Sequence, residues 1–322
     1  MKAIHVAEDH SLHWLDVERV GPAPDEVLLR VRAAGVNRLD LMQRAGTYPV
    51  PRGESQVLGV EAAGEIVAVG AAVTEWSVGD DACALLGGGG YATHVTVPAD
   101  MLLPIPRGVS MEEAASLPEA YYTAYVNLVL EAGLRRRENV LVHAGGSGVG
   151  TAIVQLVRAF GAHAYATASA SKLDRILTLG ALGVHDRAKG EFVSWALEAT
   201  QTRGMDVIID PVGGAYVHAD VRALAPGGRL VLIGLLGGTT GELPLASVLR
   251  NRLHIIGSVL RSRPREEKVA ITREIRQHVW PLFDSGALRP VLEAIFPIEQ
   301  AAEAHERLRA GHTFGKLVLE VP

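Results

Sequence analysis

Hydrophobic positions along the chain fall into two textures. Over the first 120 residues, short β-branched runs are punctuated by Gly35, Gly59, Gly64, Gly79 and the Gly87–Gly90 tetrad. The runs are Val27–Val31, with apolar residues around Arg30, then Ile66–Val69 and His94–Val97. This pattern predicts a compact β-rich barrel. From about residue 121 the chain alternates instead. Strands are predicted at Val140–Val142, Ala162–Thr167, near Val184, Met205–Asp210, Leu230–Gly234 and Leu253–Ser258. Helices are predicted between them at Val149–Phe160, Ser171–Leu179, Glu191–Thr200 and Tyr216–Leu224. Six strands alternating with helices mean a doubly wound parallel α/β sheet. After Arg261 the chain reads as mostly helical and closes with a strand-like run, Lys316 to Val321. The boundaries are residues 1–120 with 262–322 for the β-rich domain and 121–261 for the parallel-sheet domain.

Composition narrows the classes. At 322 residues, 48% hydrophobic and 21% charged, the chain has material for two ordinary globular cores, which excludes a disordered or collagen-like protein. A net charge of −5 supplies no general attraction to nucleic acid or an anionic membrane, so neither is expected as a partner. Cys83 is the sole cysteine, which excludes an intrachain disulfide and a four-thiolate zinc site and suits a reducing cytoplasm. Glu8 and Asp9 stand where a signal peptide needs an apolar core, and the apolar run Leu230–Leu236 is too short to span a bilayer. The expectation is a soluble, cytoplasmic protein.

The run Val140 to Gly150, VLVHAGGSGVG, joins a buried strand to a helix start through a glycine turn. Backbone N–H groups and the helix dipole there attract a pyrophosphate, and glycines allow its close approach. Gly145, Gly146, Ser147, Gly148, Val149 and Gly150 are therefore candidate cofactor-binding residues, Ser147 replacing the usual middle glycine with a hydroxyl. An NAD enzyme places an acid at the end of the second strand to hold the ribose diol. Here Thr167 to Lys172 reads TASASK, with no acid before Asp174. A 2′-phosphate would find Ser169, Ser171 and Lys172 instead, Lys172 being one of only five lysines, and Thr167 at the strand end is a further cofactor-binding candidate. NADPH is the expected cofactor; a solvated lysine opening a helix is the plain alternative. Gly213, Gly234 and Leu235 follow strands whose carboxyl ends face the dinucleotide crevice of such sheets.

The chain resembles the zinc-free, zeta-crystallin-type quinone oxidoreductases of the medium-chain dehydrogenase/reductase superfamily, and within them the branch known in animals as tumour-suppressor-inducible. The resemblance rests on residues 35–49 (GVNRLDLMQRAGTYP), 58–70 (LGVEAAGEIVAVG), 116–125 (SLPEAYYTAY), 143–150, 210–214 (DPVGG), 258–263 (SVLRSR) and 315–320 (GKLVLE). It implies a GroES-like catalytic domain, a Rossmann domain, NADPH and a homodimer. Related alcohol dehydrogenases carry zinc ligands where this chain has Asn37 and Val60, and a cysteine in the stretch matching Leu117–Ala120; of that neighbourhood only Glu61 is retained. No catalytic metal is expected.

Without a metal, a quinone carbonyl is a suitable hydride acceptor because the quinol formed is aromatic. By resemblance, Tyr48 lines the nicotinamide cleft and is the proton donor or positioner, or else a hinge-packed tyrosine. Asn37 and Asp40 share its loop and fix its shape or bond substrate oxygens. Thr123, on the first interdomain helix, contacts the nicotinamide end or only its own backbone. Ser258 and Leu260 offer backbone groups to the carboxamide, and Lys316 reaches the cofactor phosphate. At His185–Asp186–Arg187, where relatives often have a phosphate-binding Tyr, Asp186 repels the phosphate while Arg187 could replace the Tyr. The expected activity is NADPH-dependent quinone reduction. The alternatives are enal or enone reduction and a non-enzymatic NADPH-binding role. The apolar edge at 243–258 is the expected dimer contact, unless a helix of the same chain covers it.

Overall fold

The computed structural model describes residues 1–322, which divide into two compact units: Met1–Tyr122 with Arg261–Pro322, and Thr123–Leu260.

The second unit is built on a six-stranded parallel sheet. Its spatial order is Gly183–Asp186, His163–Ala168, Asn139–Val142, Met205–Asp210, Leu224–Leu232 and His254–Gly257. The chain starts in the middle, winds outward one way and then the other, so the order reverses between Asn139–Val142 and Met205–Asp210. That reversal is where open α/β sheets bind ligands, outside the strands' carboxyl ends. Central strands covered on both faces need apolar residues at successive positions rather than alternating ones. Met205–Asp210 accordingly is buried at every position. Leu141, Ile208 and Leu230 meet Phe192, Val193 and Val221 in the core. Helix Gly148–Ala159 is embedded beside it, with Ile153, Val154 and Leu156 fully buried.

The first unit holds a seven-stranded sheet. Strand Glu26–Val36 pairs antiparallel with Glu61–Val69, His94–Pro98 and Lys316–Glu320. Register shifts at Leu28/Leu29 and Val31/Ala33 let this eleven-residue strand bend among three partners. Asp81–Leu85 and Leu102–Pro104 extend the sheet on one side. Leu292–Pro297 extends it on the other, and a separate hairpin of Lys2–Val6 and Leu12–Asp16 is joined to residues 91–93 by the Ile4 N–H on Tyr91 O and the Thr93 N–H on Lys2 O.

The C-terminal segment carries helices Arg265–His278, Trp280–Asp284 and Ala301–Arg309, but the mostly helical reading misses Leu292–Pro297. That strand runs parallel to Lys316–Glu320 and buries only Phe296, so its own sequence carries little period-two signal. No helix is long and apolar enough to cross a membrane.

Candidate functional site

In the second unit, the turn after strand Asn139–Val142 is shaped by residues that admit no substitute of ordinary size. Ala144 takes a left-handed φ of 53°. A Cβ on Gly145 would lie 2.6 Å from the Ala166 methyl, and one on Gly150 would lie 2.5 Å from the Ala144 carbonyl oxygen. These glycines bring turn, strand and helix together, the packing role that the dinucleotide fingerprint assigns to glycine. Ser147 is the N-cap of helix Gly148–Ala159, its Oγ accepting the Gly150 N–H at 3.0 Å. Its hydroxyl is thus an acceptor within the turn, and its own proton is what it has to offer a phosphate. The turn fits a pyrophosphate.

Beneath the turn lies a buried polar pair. His143 shares hydrogen bonds of 2.8 Å with the Thr167 hydroxyl through Nδ1 and with Asp220 Oδ1 through Nε2. Thr167 is 2% exposed and its hydroxyl is engaged with His143. Asp210 accepts the N–H groups of Val212 at 2.5 Å and Gly213 at 2.9 Å and so shapes the next strand-end loop. Burial, reinforced by Asp220, pushes the Asp210 pKa up to about 7, against the pull of His143. Gly213 has φ 77°, and a Cβ on Gly234 would lie 2.8 Å from the Pro211 carbonyl oxygen, so both loops need glycine. Leu235 is exposed, the Ser258 N–H donates to Leu232 O at 3.0 Å, and Leu260 is buried.

At the end of strand His163–Ala168, Ser169 and Lys172 bracket a short turn closed by the Lys172 N–H on Ser169 O at 2.9 Å. Both are half-buried and Ser171 is exposed. Asp186 is engaged locally, its carboxylate accepting the Ala188 N–H, while Arg187 is exposed. Thr123 lies in helix Pro118–Tyr125, its carbonyl accepting Asn127 Nδ2 at 2.7 Å where the helix passes into the π-helical turn Val126–Glu131.

In the first unit, strands Glu26–Val36, Glu61–Val69 and Lys316–Glu320 converge on a buried ion pair. Lys316 Nζ donates to Glu61 Oε1 at 2.6 Å, to Asn37 Oδ1 at 2.5 Å and to Val36 O at 3.2 Å. Asn37 Nδ2 donates to the same Glu61 oxygen at 2.8 Å, and Glu61 Oε2 accepts the Glu119 N–H at 2.8 Å. Lys316 is 6% exposed with three acceptors on its ammonium. Asn37 is also engaged at both ends of its amide, which leaves it a positioning part rather than a free hydrogen-bonding group. Asp40, fully buried, accepts the N–H groups of Asn37 and Gly59 and thereby fixes the loop. Burial pushes its pKa up to about 6 in spite of those bonds.

Sequence reasoning missed two residues of this unit, one against Tyr48 and one against Glu61. The Arg261 guanidinium carbon lies 5.7 Å from the Tyr48 ring centroid. Its Nε and Nη2 donate to Gly87 O at 2.9 and 2.7 Å, and Nη2 also to Gln43 Oε1 at 2.8 Å. The second is Glu119, half-buried at the start of its helix. Burial and the adjacent Glu61 push its carboxyl up to about 8. Arg261 stands inside the SVLRSR motif and Glu119 inside SLPEAYYTAY, the only signals either gave.

A zinc ion would need three protein ligands and an open position. The polar groups assembled at Asn37 and Glu61 are instead an amide, one carboxylate and an ammonium, and no group of three or more His, Cys, Asp or Glu is arranged to hold a metal. These residues do not fit a catalytic zinc.

Residues 23–107 match the alcohol dehydrogenase GroES-like domain and residues 179–319 the zinc-binding dehydrogenase family. The chain is 31% identical over 317 residues to the rat synaptic vesicle membrane protein VAT-1 homolog, covering 92% of this chain and 77% of that protein. It is 32% identical over 317 residues to a phenolphthiocerol/phthiocerol polyketide synthase of Mycobacterium tuberculosis, covering 97% of this chain but only 14% of the synthase. Among solved structures, the CurK enoyl reductase superposes with TM-score 0.89 at 27% identity, covering 100% of this chain and 99% of that one. A quinone oxidoreductase of Pseudomonas syringae pv. Tomato DC3000 superposes with TM-score 0.88 at 28% identity, covering 99% of each. The chain belongs to the medium-chain dehydrogenase/reductase superfamily.

Proposed function

We propose that the protein is a metal-independent, NADPH-dependent reductase of quinones. The observation that carries this reading is the Lys316–Glu61–Asn37 cluster. Where an alcohol dehydrogenase needs a Lewis acid to activate its substrate, this chain has a neutralised, buried ion pair. The acceptor must then be electron-poor by itself, which a quinone is.

The turn Gly145–Gly150 with Ser147 would hold the pyrophosphate, and Ser169, Ser171 and Lys172 the 2′-phosphate. Gly213, Gly234, Leu235, Ser258 and Leu260 would flank the rest. When bound, the reduced nicotinamide supplies a hydride from its C4. The chain's own part is to orient the acceptor, exclude water and deliver one proton. Tyr48 offers a flat aromatic face to a planar acceptor, stiffened by the Arg261 guanidinium packed against it.

A second reading, reduction of the C=C of an enal, enone or enoyl thioester, is favoured by the similarity to an enoyl reductase. Steady-state oxidation of NADPH with 1,4-benzoquinone, 9,10-phenanthrenequinone, a simple enone and a crotonyl thioester separates the two. The expected order has the quinones fastest by kcat/KM; faster turnover of the enone or thioester reverses the ranking.

A further inference from the structure

Two basic side chains of the first unit are buried with less negative charge around them than they need. Arg261 is 5% exposed, and Lys268, on helix Arg265–His278, is 8% exposed. Arg261 spends Nε and Nη2 on neutral acceptors, the Gly87 carbonyl and the Gln43 amide oxygen, and its Nη1 is buried without a hydrogen-bond partner. The Tyr48 ring is a poor substitute, because its centroid is 5.7 Å from the guanidinium carbon, close to the limit of about 6 Å for a cation over an aromatic face. Lys268 Nζ donates to Glu54 Oε1 at 3.1 Å and to the Arg261 carbonyl oxygen at 3.5 Å. Glu54 is the only carboxylate in salt-bridge contact with either cation, and its side chain is 33% exposed. Glu119 also acts on Arg261 electrostatically, but burial and the adjacent Glu61 hold its pKa at about 8, so it brings little negative charge at neutral pH. Buried charges are normally paired and buried donors bonded. Two buried cations sharing one carboxylate therefore keep a place for an anion.

That place adjoins a cavity. Gly87, whose carbonyl takes N–H groups of Arg261, and Lys268 both line a cavity of about 400 Å³, together with Arg52, Glu54, Val57 and Leu86. A Cβ on Gly87 would lie 1.7 Å from Glu54 Oε2, so the Glu54 carboxylate packs on bare backbone there. An anion in the cavity lies next to Lys268 and one residue away from the Arg261 guanidinium. Val57 and Leu86 offer an apolar wall to whatever carries that anion. Arg261 meets both Gly87 and Tyr48, so the cavity and the Tyr48 ring are one guanidinium apart.

Resting on the reading that the chain reduces a conjugated carbonyl acceptor, we propose that its acceptors carry a carboxylate, which this cavity receives as counter-charge to Lys268 and Arg261 while the conjugated part lies toward Tyr48. A carboxylate has two oxygens for charge-assisted bonds, and an arginine fork suits it. A site that pairs charge also rejects the uncharged analogue, because its own buried groups then stay unpaired.

The test measures binding to the whole chain, apart from turnover. In equilibrium dialysis at pH 7, anthraquinone-2-carboxylate should bind about ten- to a hundredfold tighter than its primary amide, the span for bonds to charged groups. Equal affinities, or binding of neither probe, overturn the proposal. In Arg261→Gln and in Lys268→Gln the carboxylate should lose most of that advantage while the amide keeps its affinity. An advantage kept in full by both variants overturns the proposal, since the anion then lies elsewhere. Should these variants not fold, Arg261→Lys serves: it keeps the charge without the planar fork and should narrow the advantage, and an undiminished advantage sinks the idea. Wild-type protein that turns over 9,10-phenanthrenequinone but binds the two probes alike keeps the functional reading and loses this proposal. Protein that reduces neither quinones nor enones loses the functional reading and the acceptor assignment with it.

Discussion

Lys316 and Glu61 form an ion pair of 2.6 Å whose side chains are 7% and 0% exposed, in a protein whose relatives include zinc enzymes. Removing one member of a buried pair leaves an uncompensated charge and costs about 3–5 kcal/mol. Lys316→Met should therefore lower stability by that amount in urea unfolding, and adding Glu61→Gln should restore part of it. NADPH affinity of the folded Lys316→Met protein should be unchanged. A selective loss of NADPH over NADH at unaltered stability would return Lys316 to the phosphate site.

Lys172 carries the opposite expectation. Its replacement by Ala should weaken NADPH but not NADH, by roughly 1.5–3 kcal/mol, about ten- to hundredfold for a bond to a charged group. Fluorescence titrations with both cofactors decide it. Equal losses would assign Lys172 to the fold or to the shared pyrophosphate.

Asp210 predicts a pH dependence of stability. Its folded pKa, about 7, lies above the ordinary aspartate value of 3.8, so between those limits the folded state holds a proton that the unfolded state has released. Stability due to this group is thus full below about pH 4 and declines as pH rises to about 7, by up to about 1.4 kcal/mol per pH unit. Asp210→Asn removes one proton's worth of that slope whatever it does to absolute stability. Unfolding curves at pH 5, 6 and 7 measure it, and an unaltered slope contradicts the assignment.

Gly35 and Gly257 form a matched pair of glycine tests. A Cβ on Gly35 would stand 2.0 Å from Glu61 Oε1 and 2.7 Å from Ala115 O, while one on Gly257 meets nothing within 4 Å. Gly35→Ala should cost at least about 2 kcal/mol through overpacking at the ion pair. Gly257→Ala should stay within about 0.5 kcal/mol of wild type. Thermal unfolding of both variants checks the contrast.

The parallel sheet ends at His254–Gly257, an unpaired edge, and the preceding helix Leu245–Asn251 leaves Leu245 69% and Leu249 83% exposed. Apolar edges are normally covered, and we predict a homodimer of about twice the chain mass of 34.2 kDa formed through this surface. Sedimentation at low micromolar concentration should show it. Leu249→Lys and Ile255→Lys should each shift it toward monomer; an undisturbed dimer would move the contact elsewhere.

The parallel-sheet unit is largely legible in the sequence because its signals are local. Val140–Val142 and Val207–Ile209 are continuous apolar runs, and Gly145 and Gly150 announce a turn that their packing requires. The β-rich unit is legible only in outline. Leu292–Pro297 becomes a strand by pairing with Lys316–Glu320, and the hairpin Lys2–Val6 with Leu12–Asp16 has too few buried positions to advertise itself. The site is hardest to read where function depends on who meets whom. Lys316 looks like any basic residue until its strand lies beside Asn37 and Glu61, and Glu119 looks like an ordinary helix-opening acid until Glu61 is set against it.

The ion pair also imposes an order on the birth of the molecule. Glu61 and Lys316 are 255 residues apart, and Lys316 arrives on the closing strand. At ribosomal speeds of about 5–20 residues per second, Glu61 emerges roughly 10–50 s before its counter-charge. During that interval the nascent barrel lacks both its last strand and the cation that neutralises its centre, while the contiguous span Thr123–Leu260 emerges whole. The Thr123–Leu260 unit can be finished on the ribosome, while the other unit is left to wait for strand Lys316–Glu320.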